Sequence, residues 1–271
     1  MPILKSGLFN IDYVDAGSGP AVVLIHSSAS NNKQWRRMIE ENQHQYRFLA
    51  VNLFGYGDTT AWSEDLIQSI DDQVGLIEAV SELVDGQVCL VGHSLGGAVA
   101  AYSAMKLGEK ISGLVLLEAN PFPLLNSDEW QYAYDEIIAL KDYVLLHGRD
   151  NNDWDKVGEK FVNYWIGEGA WALLSPQRQA SFISALPNNR YEWDAVMQAD
   201  VGEEVWKSIS ASTLVVRAKE TTASTMGIYE IFQQICPHWE FQQVAEGGHM
   251  APVTHPHLVN PIILGFLEKQ F

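Results

Sequence analysis

Short runs of apolar residues alternate along this chain with longer segments whose apolar residues recur at helical spacing. A continuous apolar run is typical of a strand buried on both faces. The pattern predicts a half-buried strand at 9–13 and buried strands at 21–26, 48–53, 88–92, 114–117, 213–217 and 241–244. It predicts helices at 31–43, 69–84, 95–107, 223–235 and 257–271. Such alternation predicts an α/β fold with a doubly wound, mostly parallel sheet.

The alternation stops between residues 120 and 208, a segment called the helical insertion below. These 89 residues contain 14 of the 29 aromatic residues, and they show helical patches without a convincing buried strand. Ligands of open α/β sheets bind at the carboxyl edge of the strands, so we expect the insertion to cover that edge as a lid. A helical subdomain with its own core is the alternative. The predicted organisation is a core of residues 1–119 and 209–271 with a lid at 120–208.

The charge of the chain disfavours some partners. Acidic residues outnumber basic ones by 34 to 17, which gives a net charge of −17. A surface of this sign repels phosphate backbones and anionic lipids, so we expect neither a nucleic acid nor a membrane as partner. Two cysteines, Cys89 and Cys236, cannot form a disulfide framework and favour a reducing compartment. Residues 1–7 show no signal-peptide pattern, and the expected location is therefore cytoplasmic.

A G-x-S-x-G pattern, Gly92-His93-Ser94-Leu95-Gly96, lies between a predicted strand and a predicted helix of small residues. A serine on such a tight turn is held exposed in a strained backbone conformation. The helix that follows offers free N–H groups and a positive dipole end, which favour a developing oxyanion. Ser94 is therefore the candidate nucleophile. A glycine-rich turn without chemistry is the alternative.

The chain resembles the α/β-hydrolase superfamily over nearly its whole length. The motifs that carry the resemblance are Leu24-Ile25-His26-Ser27-Ser28, Gly92-His93-Ser94-Leu95-Gly96-Gly97 and Gly247-Gly248-His249-Met250-Ala251-Pro252. The resemblance implies a sheet of about eight strands, a lid after the sixth strand and a Ser–acid–His triad in that chain order. It also implies that His249 is the catalytic histidine, while we interpret His26 and His93 as structural.

The sequence leaves the acid of the triad open between two positions. The superfamily usually places it in a G-x-x-D turn after the seventh strand, where this chain has Thr221, preceded by Glu220. The other position that the superfamily uses is the end of the sixth strand, where Glu118 directly follows four apolar residues. A carboxylate buried at that position without a hydrogen-bond partner would destabilise the folded protein. We therefore expect Glu118 to be the acid, and Glu220 is the alternative.

The resemblance further implies an oxyanion hole formed by the backbone N–H groups of Ser28 and Leu95. Because these donors belong to the backbone, replacing the side chains would test them poorly. His255 and His257 lie near His249, but their spacing fits no metal-binding motif that we can justify. We expect neither a metal nor another cofactor.

These features predict a serine hydrolase, a carboxylesterase that cleaves small-molecule esters or related carbonyl compounds through an acyl-enzyme intermediate. One alternative is a carbon–carbon bond hydrolase that acts on a diketone-like substrate with the same triad. Another is a ligand receptor on a hydrolase scaffold with little or no turnover. Aromatic residues of the helical insertion are candidates to line the substrate pocket: Trp130, Tyr134, Trp154, Trp165, Trp171, Trp193 and Trp206.

Overall fold

The structure, a computed structural model, describes residues 2–271. The strands of this part of the chain are β1 (Ile3–Ser6), β2 (Phe9–Gly17), β3 (Ala21–Ile25), β4 (Arg47–Val51), β5 (Val88–His93), β6 (Ile111–Leu117), β7 (Ser212–Ala218) and β8 (Glu240–Val244). They form one eight-stranded sheet in the order β1-β2-β4-β3-β5-β6-β7-β8. β2 pairs antiparallel with β1 and β4, and the pairs from β4 onward are parallel. The predicted α/β fold with a mostly parallel sheet is confirmed.

Helices connect the strands. The α-helices are α1 (Arg36–Asn42), α2 (Ile70–Ser81), α3 (Leu95–Leu107), α4 (Gln131–Val144), α5 (Trp154–Ile166), α6 (Pro176–Ala185), α7 (Asn189–Met197), α8 (Glu203–Lys207), α9 (Ala223–Ile235), α10 (Ala251–Thr254) and α11 (Pro256–Leu267). Short 3₁₀ turns are found at Asn32–Trp35, Gly108–Lys110, Phe122–Leu125, Trp171–Leu173, Leu186–Asn188 and Gly248–Met250, and a π-helical turn at Leu145–Asp150 extends α4.

Each face of the sheet carries an apolar core. Val23 and Leu90 contribute to the core that α2, α3 and α9 cover, whereas Val22 and Val91 contribute to the core under α1 and α11. Because neighbouring strand residues point to opposite faces, both faces can be buried only if the strand is apolar throughout. This accounts for the uninterrupted apolar runs in β3 and β5, every residue of which is buried.

The helical insertion contributes five helices, α4 to α8, between β6 and β7. Its buried side chains, such as Ile137, Val157 and Trp193, belong to the same apolar cluster as Val23 and Leu90 of the sheet. Helix α5 contacts the turn Gly248–Met250, and α7 contacts α2 and α3. The insertion therefore packs directly on the part of the sheet where β5 and β6 end.

Some predicted boundaries are wrong. The segment 31–43 begins as a 3₁₀ turn before α1, and Asn31 caps that turn by accepting from the N–H of Lys33. The predicted last helix, 257–271, is instead α11, which starts at Pro256 and ends at Leu267. Proline is favoured at a first helical position because its missing N–H would be unpaired there in any case. Strand β1 is absent from the prediction, since this edge strand is only partly buried.

The register of the strands brings the candidate residues to one edge. β5 and β6 pair with His93 opposite Leu117, so Ser94 and Glu118 leave adjacent strands at the same level. On the other side of β5, the loop that carries Ser28 follows β3. The carboxyl ends of parallel strands meet at one edge of a sheet, which is where side chains from distant parts of the chain converge.

Candidate active site

Ser94 occupies a strained turn between β5 and α3. Its backbone dihedrals are φ 57° and ψ −119°, a region that residues other than glycine rarely adopt. The two motif glycines allow the turn to close. A Cβ atom on Gly92 would collide with the carbonyl oxygen of Gly96, and a Cβ atom on Gly96 would collide with the carbonyl oxygen of Ile25. The Ser94 N–H donates to the carbonyl of Leu117 at 2.9 Å, which ties the turn to β6.

A continuous chain of polar contacts links Ser94, His249 and Glu118. Ser94 Oγ lies 3.0 Å from Nε2 of His249, and Nδ1 of the same ring lies 3.1 Å from Oε2 of Glu118. Because an ionised carboxylate can only accept, Nδ1 carries the proton and Nε2 is left to accept the hydroxyl proton of Ser94. All three side chains are at least 95 % buried. In this arrangement the imidazole of His249 can accept the hydroxyl proton of Ser94, and the carboxylate of Glu118 accepts a hydrogen bond from the imidazole.

Glu118 is held from three directions. Its Oε1 accepts from the N–H of Ala218, and its Oε2 accepts from the hydroxyl of Thr221 at 2.5 Å as well as from His249. The residue has φ 49°, the left-handed conformation. Glu220, the alternative acid in the sequence, is exposed. The carboxylate that the structure brings to His249 is that of Glu118.

His249 is fixed by its neighbours on both sides. It follows β8 and the loop of Gly247, whose φ of 98° is left-handed and where a Cβ would lie 2.8 Å from Cα of Ala251. The indole of Trp165, from α5 of the helical insertion, stacks on the imidazole with ring centroids 4.1 Å apart. The backbone oxygen of His249 accepts from Nε2 of His93 at 2.9 Å. The ring therefore has one preferred orientation.

The other two buried histidines near the site are neutral. Nε2 of His26 accepts from the N–H of Leu53, so Nδ1 carries the proton and donates to Ser27 O. Burial lowers the pKa of His26 to about 4. Burial, together with the nearby His249, lowers the pKa of His93 to about 3. Both rings bind backbone groups of the loops near Ser94, and within the described residues neither forms a hydrogen bond with its hydroxyl.

Two backbone N–H groups are available beside the Ser94 hydroxyl. Ser28 and Leu95 both line the cavity at Ser94, and within residues 2–271 neither N–H has a hydrogen-bond acceptor. Leu95 is the first residue of α3, so its N–H is one of the free donors at the helix N-terminus. The loop after Ser28 is fixed by Ala29, whose N–H donates to the Tyr56 hydroxyl at 2.8 Å.

Asn120 is a contact of the Ser94 hydroxyl that the sequence reasoning missed. Its Nδ2 donates to Ser94 Oγ at 2.8 Å, and the side chain lines the cavity. The available signal was its place two residues after Glu118, at the same strand end. Ser94 Oγ therefore has a donor on one side, Asn120, and an acceptor on the other, His249.

A cavity of about 230 Å³ opens onto Ser94 and His249. Among the aromatic residues that the sequence suggested for it, Trp165 and Trp193 line it. The other five are not among its lining residues, and Trp206, for example, packs in the core against Tyr102 and Phe232 instead. Phe122 stacks on both lining tryptophans, so this wall of the cavity is a layer of aromatic rings.

A buried carboxylate other than that of Glu118, the side chain of Glu192 on α7, lines the cavity. It accepts from the hydroxyls of Ser28 at 2.5 Å and Tyr56 at 2.6 Å and from Nδ2 of Asn189 at 2.9 Å. Burial raises the pKa of Glu192, and the three donated hydrogen bonds offset this in part. The carboxylate thus joins the helical insertion to the loop that carries the Ser28 N–H.

Sequence reasoning did not find Glu192 either, although the pattern contained a signal. Asn189, Glu192, Trp193 and Val196 have the i, i+3, i+4, i+7 spacing of one helix face, and all four are buried and line the cavity. A charged residue on an otherwise buried face is the informative observation. Within residues 2–271 no group of three or more His, Cys, Asp or Glu side chains could hold a metal ion, and no helix is long and apolar enough to cross a bilayer.

Comparison with known proteins agrees with the fold. The sequence model of the alpha/beta hydrolase family matches residues 22–262. The match includes nearly all of β3, the strands β4 to β8 and the residues that form the site. The chain belongs to the alpha/beta hydrolase family.

Relatives within the family carry out different hydrolytic reactions. Lipase LipV of Mycobacterium tuberculosis is 29 % identical over 262 residues, which cover 91 % of this chain and 93 % of the lipase. A 2-hydroxy-6-oxo-6-(2'-aminophenyl)hexa-2,4-dienoic acid hydrolase of Metapseudomonas resinovorans is 23 % identical over 98 % of this chain and 90 % of its own. The crystal structure of an enol-lactonase from Burkholderia xenovorans superimposes with a TM-score of 0.80 at 14 % identity, covering 98 % of this chain and all of the other. This similarity concerns the fold.

Proposed function

We propose that the protein is a serine hydrolase that cleaves carboxylic esters, with Ser94 as nucleophile, His249 as base and Glu118 as the acid that orients the base. The observation that supports this is the unbroken path of contacts from Glu118 through His249 to the Ser94 hydroxyl, at the floor of a cavity. A serine hydroxyl is a weak nucleophile until a positioned base takes its proton. This geometry supplies the base and fixes its tautomer.

The reaction follows from the order of the contacts. Ser94 Oγ attacks the ester carbonyl while its proton passes to Nε2 of His249, and Glu118 stabilises the imidazolium that forms. The proton then goes to the leaving alcohol, and an acyl-enzyme remains on Ser94. Water, deprotonated by the same nitrogen, releases the acid and restores the serine. No step requires a cofactor.

The negative oxygen of the tetrahedral intermediate is held by the backbone N–H groups of Ser28 and Leu95. Neither donor is committed to another acceptor within the described residues, and Leu95 adds the positive end of the α3 dipole. Asn120 donates to Ser94 Oγ and holds it toward the cavity before attack. Donors that are positioned in advance toward the oxyanion stabilise the transition state by several kcal/mol, typically about 3 for one donor.

Residues 120–208 act as the lid of this site, and residues 1–119 and 209–271 form the catalytic core. Support for this division comes from Trp165 and Trp193, which extend from the insertion to the wall of the cavity. The aromatic wall favours an apolar acyl or alcohol group. We propose a small-molecule ester as partner, and the cytoplasmic location stays a prediction from the sequence.

The second candidate is a carbon–carbon bond hydrolase with the same three residues. The similarity to the dienoic acid hydrolase of Metapseudomonas resinovorans favours it. The third candidate is a ligand receptor without turnover. Ligand binding would need the same fold but would not require the strained backbone of Ser94. Strain of this kind is typical of catalytic sites.

One experiment separates the three. The protein and its Ser94→Ala variant are assayed on p-nitrophenyl esters of increasing acyl length and on a ring-cleavage diketone, and both are treated with a fluorophosphonate probe. We expect the protein to hydrolyse esters and to be labelled, and Ser94→Ala to lose turnover by at least about 10³-fold and to lose the label. Hydrolysis of the diketone alone would assign the second candidate. Absence of both labelling and turnover would assign the third.

A further inference from the structure

The cavity at Ser94 has an unusual charge balance. Of the described residues that line it, Glu192 is the one carboxylate, and none is a lysine or an arginine. The remaining polar lining consists of serines, two asparagines and His249, and most of the wall is apolar. A ligand that enters the cavity therefore meets one carboxyl group and no lysine or arginine.

The charge of Glu192 is held in place without a counter-ion. The side chain is 3 % exposed, and within residues 2–271 it forms no ion pair, since its neighbour Arg190 pairs with Glu64 instead. Three donors, the hydroxyls of Ser28 and Tyr56 and the amide of Asn189, point at the carboxylate. Donated hydrogen bonds favour the ionised form, which can accept all of them, over the protonated form, which must donate one.

We propose that Glu192 is a specificity-determining residue that restricts the cavity to uncharged or cationic substrates and excludes substrates with a carboxylate close to the scissile carbonyl. The inference rests on the proposed function, because it concerns the substrate of the Ser94 site. Glu192 binds Ser28 directly, and the N–H of Ser28 is a proposed donor to the oxyanion, so the charge lies next to the reacting group. Like charges brought together in a poorly hydrated site repel strongly.

The preferred substrate class is an uncharged ester with an aromatic or aliphatic group, and an ammonium group on it is tolerated. The indoles of Trp165 and Trp193 give the apolar part a wall, and aromatic faces also attract cations. The proposal separates this chain from its relative whose name specifies a dienoic acid, because no lysine or arginine among the lining residues is present to receive the acid.

The net charge of −17 also repels anions, so the two effects have to be distinguished. Exposed charges are screened once the Debye length becomes shorter than their distance from the ligand, and at about 0.5 M salt that length is only about 4 Å. A buried carboxylate in contact with the ligand is screened much less. A preference for the uncharged ligand over the anionic one that persists at high salt is therefore due to a group inside the cavity.

The test uses two pairs of p-nitrophenyl or aryl esters that differ only in a terminal methyl or carboxylate, placed on the acyl part in one pair and on the alcohol part in the other. Values of kcat/KM are measured at about 0.5 M NaCl for the protein and for Glu192→Gln and Asp194→Asn. Asp194 lies on the same helix α7 but does not line the cavity, so Asp194→Asn removes the same charge from outside it.

We expect the protein to prefer the uncharged ester in at least one pair by about tenfold or more, and Glu192→Gln to reduce that preference by about tenfold while Asp194→Asn leaves it unchanged. Using the ratio removes any general loss of rate in Glu192→Gln that follows from its contact with Ser28. The proposal is overturned if neither pair shows a preference, if Glu192→Gln retains it, or if Asp194→Asn reduces it equally.

A binding measurement tests the proposal even if Glu192→Gln does not fold or if no ester is hydrolysed. The unmodified protein is titrated by calorimetry with phenylacetamide and with phenylacetate at the same salt concentration. We expect the amide to bind at least about tenfold more tightly. Equal affinities would contradict the role of Glu192 even if Glu192→Gln fails to fold. If no ester is turned over, the proposed function fails, and this comparison still decides whether the cavity rejects a carboxylate.

Discussion

At the scale of single residues, Thr221 shows how one position of the site depends on another. The superfamily pattern places a carboxylate where Thr221 lies, and here its hydroxyl donates to Glu118 from the neighbouring strand end. Two carboxylates in this space would repel each other, whereas a hydroxyl and a carboxylate form a hydrogen bond. The identity of residue 221 therefore fits an acid at residue 118.

Glu118→Ala and Glu220→Ala form a matched pair that tests this assignment. Glu118→Ala removes the acceptor that fixes the tautomer of His249, so we expect kcat to fall by about 10³ to 10⁴-fold. Glu220→Ala alters an exposed side chain, and its kcat is expected to stay within about twofold. Steady-state kinetics on a p-nitrophenyl ester measures both. Near-normal turnover in Glu118→Ala combined with a loss in Glu220→Ala would exchange the two roles.

The sequence allowed us to predict site residues that directly follow strands. It did not allow us to predict contacts between residues that are distant in the chain and belong to different elements. Ser94, Glu118 and His249 each follow a strand that ends at the same edge, and the structure brings them together. Glu192 lies 164 positions from Ser28, with which it forms a hydrogen bond. No local pattern encodes such a pair, because it depends on how the insertion docks on the sheet.

At the scale of elements, the turn from β5 into α3 depends on the missing side chain of Gly96. A Cβ at this position would contact the carbonyl oxygens of Ile25 and His26, which belong to backbone and cannot rotate away. Glycine is required here because α3 packs against the end of β3. Gly75, in the middle of α2, lies in open space, and a Cβ added there would meet no atom within 4 Å.

Gly96→Ala and Gly75→Ala are expected to change stability in opposite directions. Gly96→Ala forces a backbone shift, which lowers the free energy of unfolding by about 2 kcal/mol or more and lowers kcat with it. Gly75→Ala raises the free energy of unfolding by about 0.5–1 kcal/mol, since alanine is the better helix former. Urea titrations followed by circular dichroism measure both. A stable Gly96→Ala protein would show that α3 and β3 are less closely packed than these contacts indicate.

Secondary-structure elements were predicted correctly where the apolar residues form a continuous run, as in the buried strands, or recur at helical spacing. The helices α3 and α9 begin and end at the predicted residues, and the six buried strands end no more than three residues from the predicted bounds. Besides the end of the last helix, the failures include a 3₁₀ turn predicted as helix at Asn32–Trp35 and the edge strand Ile3–Ser6. A single turn and a half-exposed edge bury too little apolar surface to leave a period in the sequence.

At the scale of the whole molecule, two buried neutral histidines link stability to pH. Burial lowers the pKa of His26 to about 4 and that of His93 to about 3, whereas in the unfolded chain both titrate near 6.5. Between these values the unfolded chain binds protons that the folded chain does not, so the free energy of unfolding falls as the pH falls. Glu192, whose pKa burial raises, acts in the opposite direction.

We expect the free energy of unfolding to be greatest above about pH 6.5 and to fall by roughly 2–4 kcal/mol between about pH 7 and pH 5. Urea titrations at several pH values measure this. His26→Gln is expected to reduce the slope, whereas His44→Gln, which changes an exposed histidine, serves as the control and leaves it unchanged. Equal slopes in the protein and in His26→Gln would exclude His26 as a source of the acid sensitivity.

The indole of Trp165 on the ring of His249 has a further consequence. A positively charged imidazole is attracted by the face of an adjacent indole ring. In the function proposed above, the imidazolium that forms on His249 is attracted by this ring, so the contact between α5 and the site would be strongest while His249 carries the extra proton.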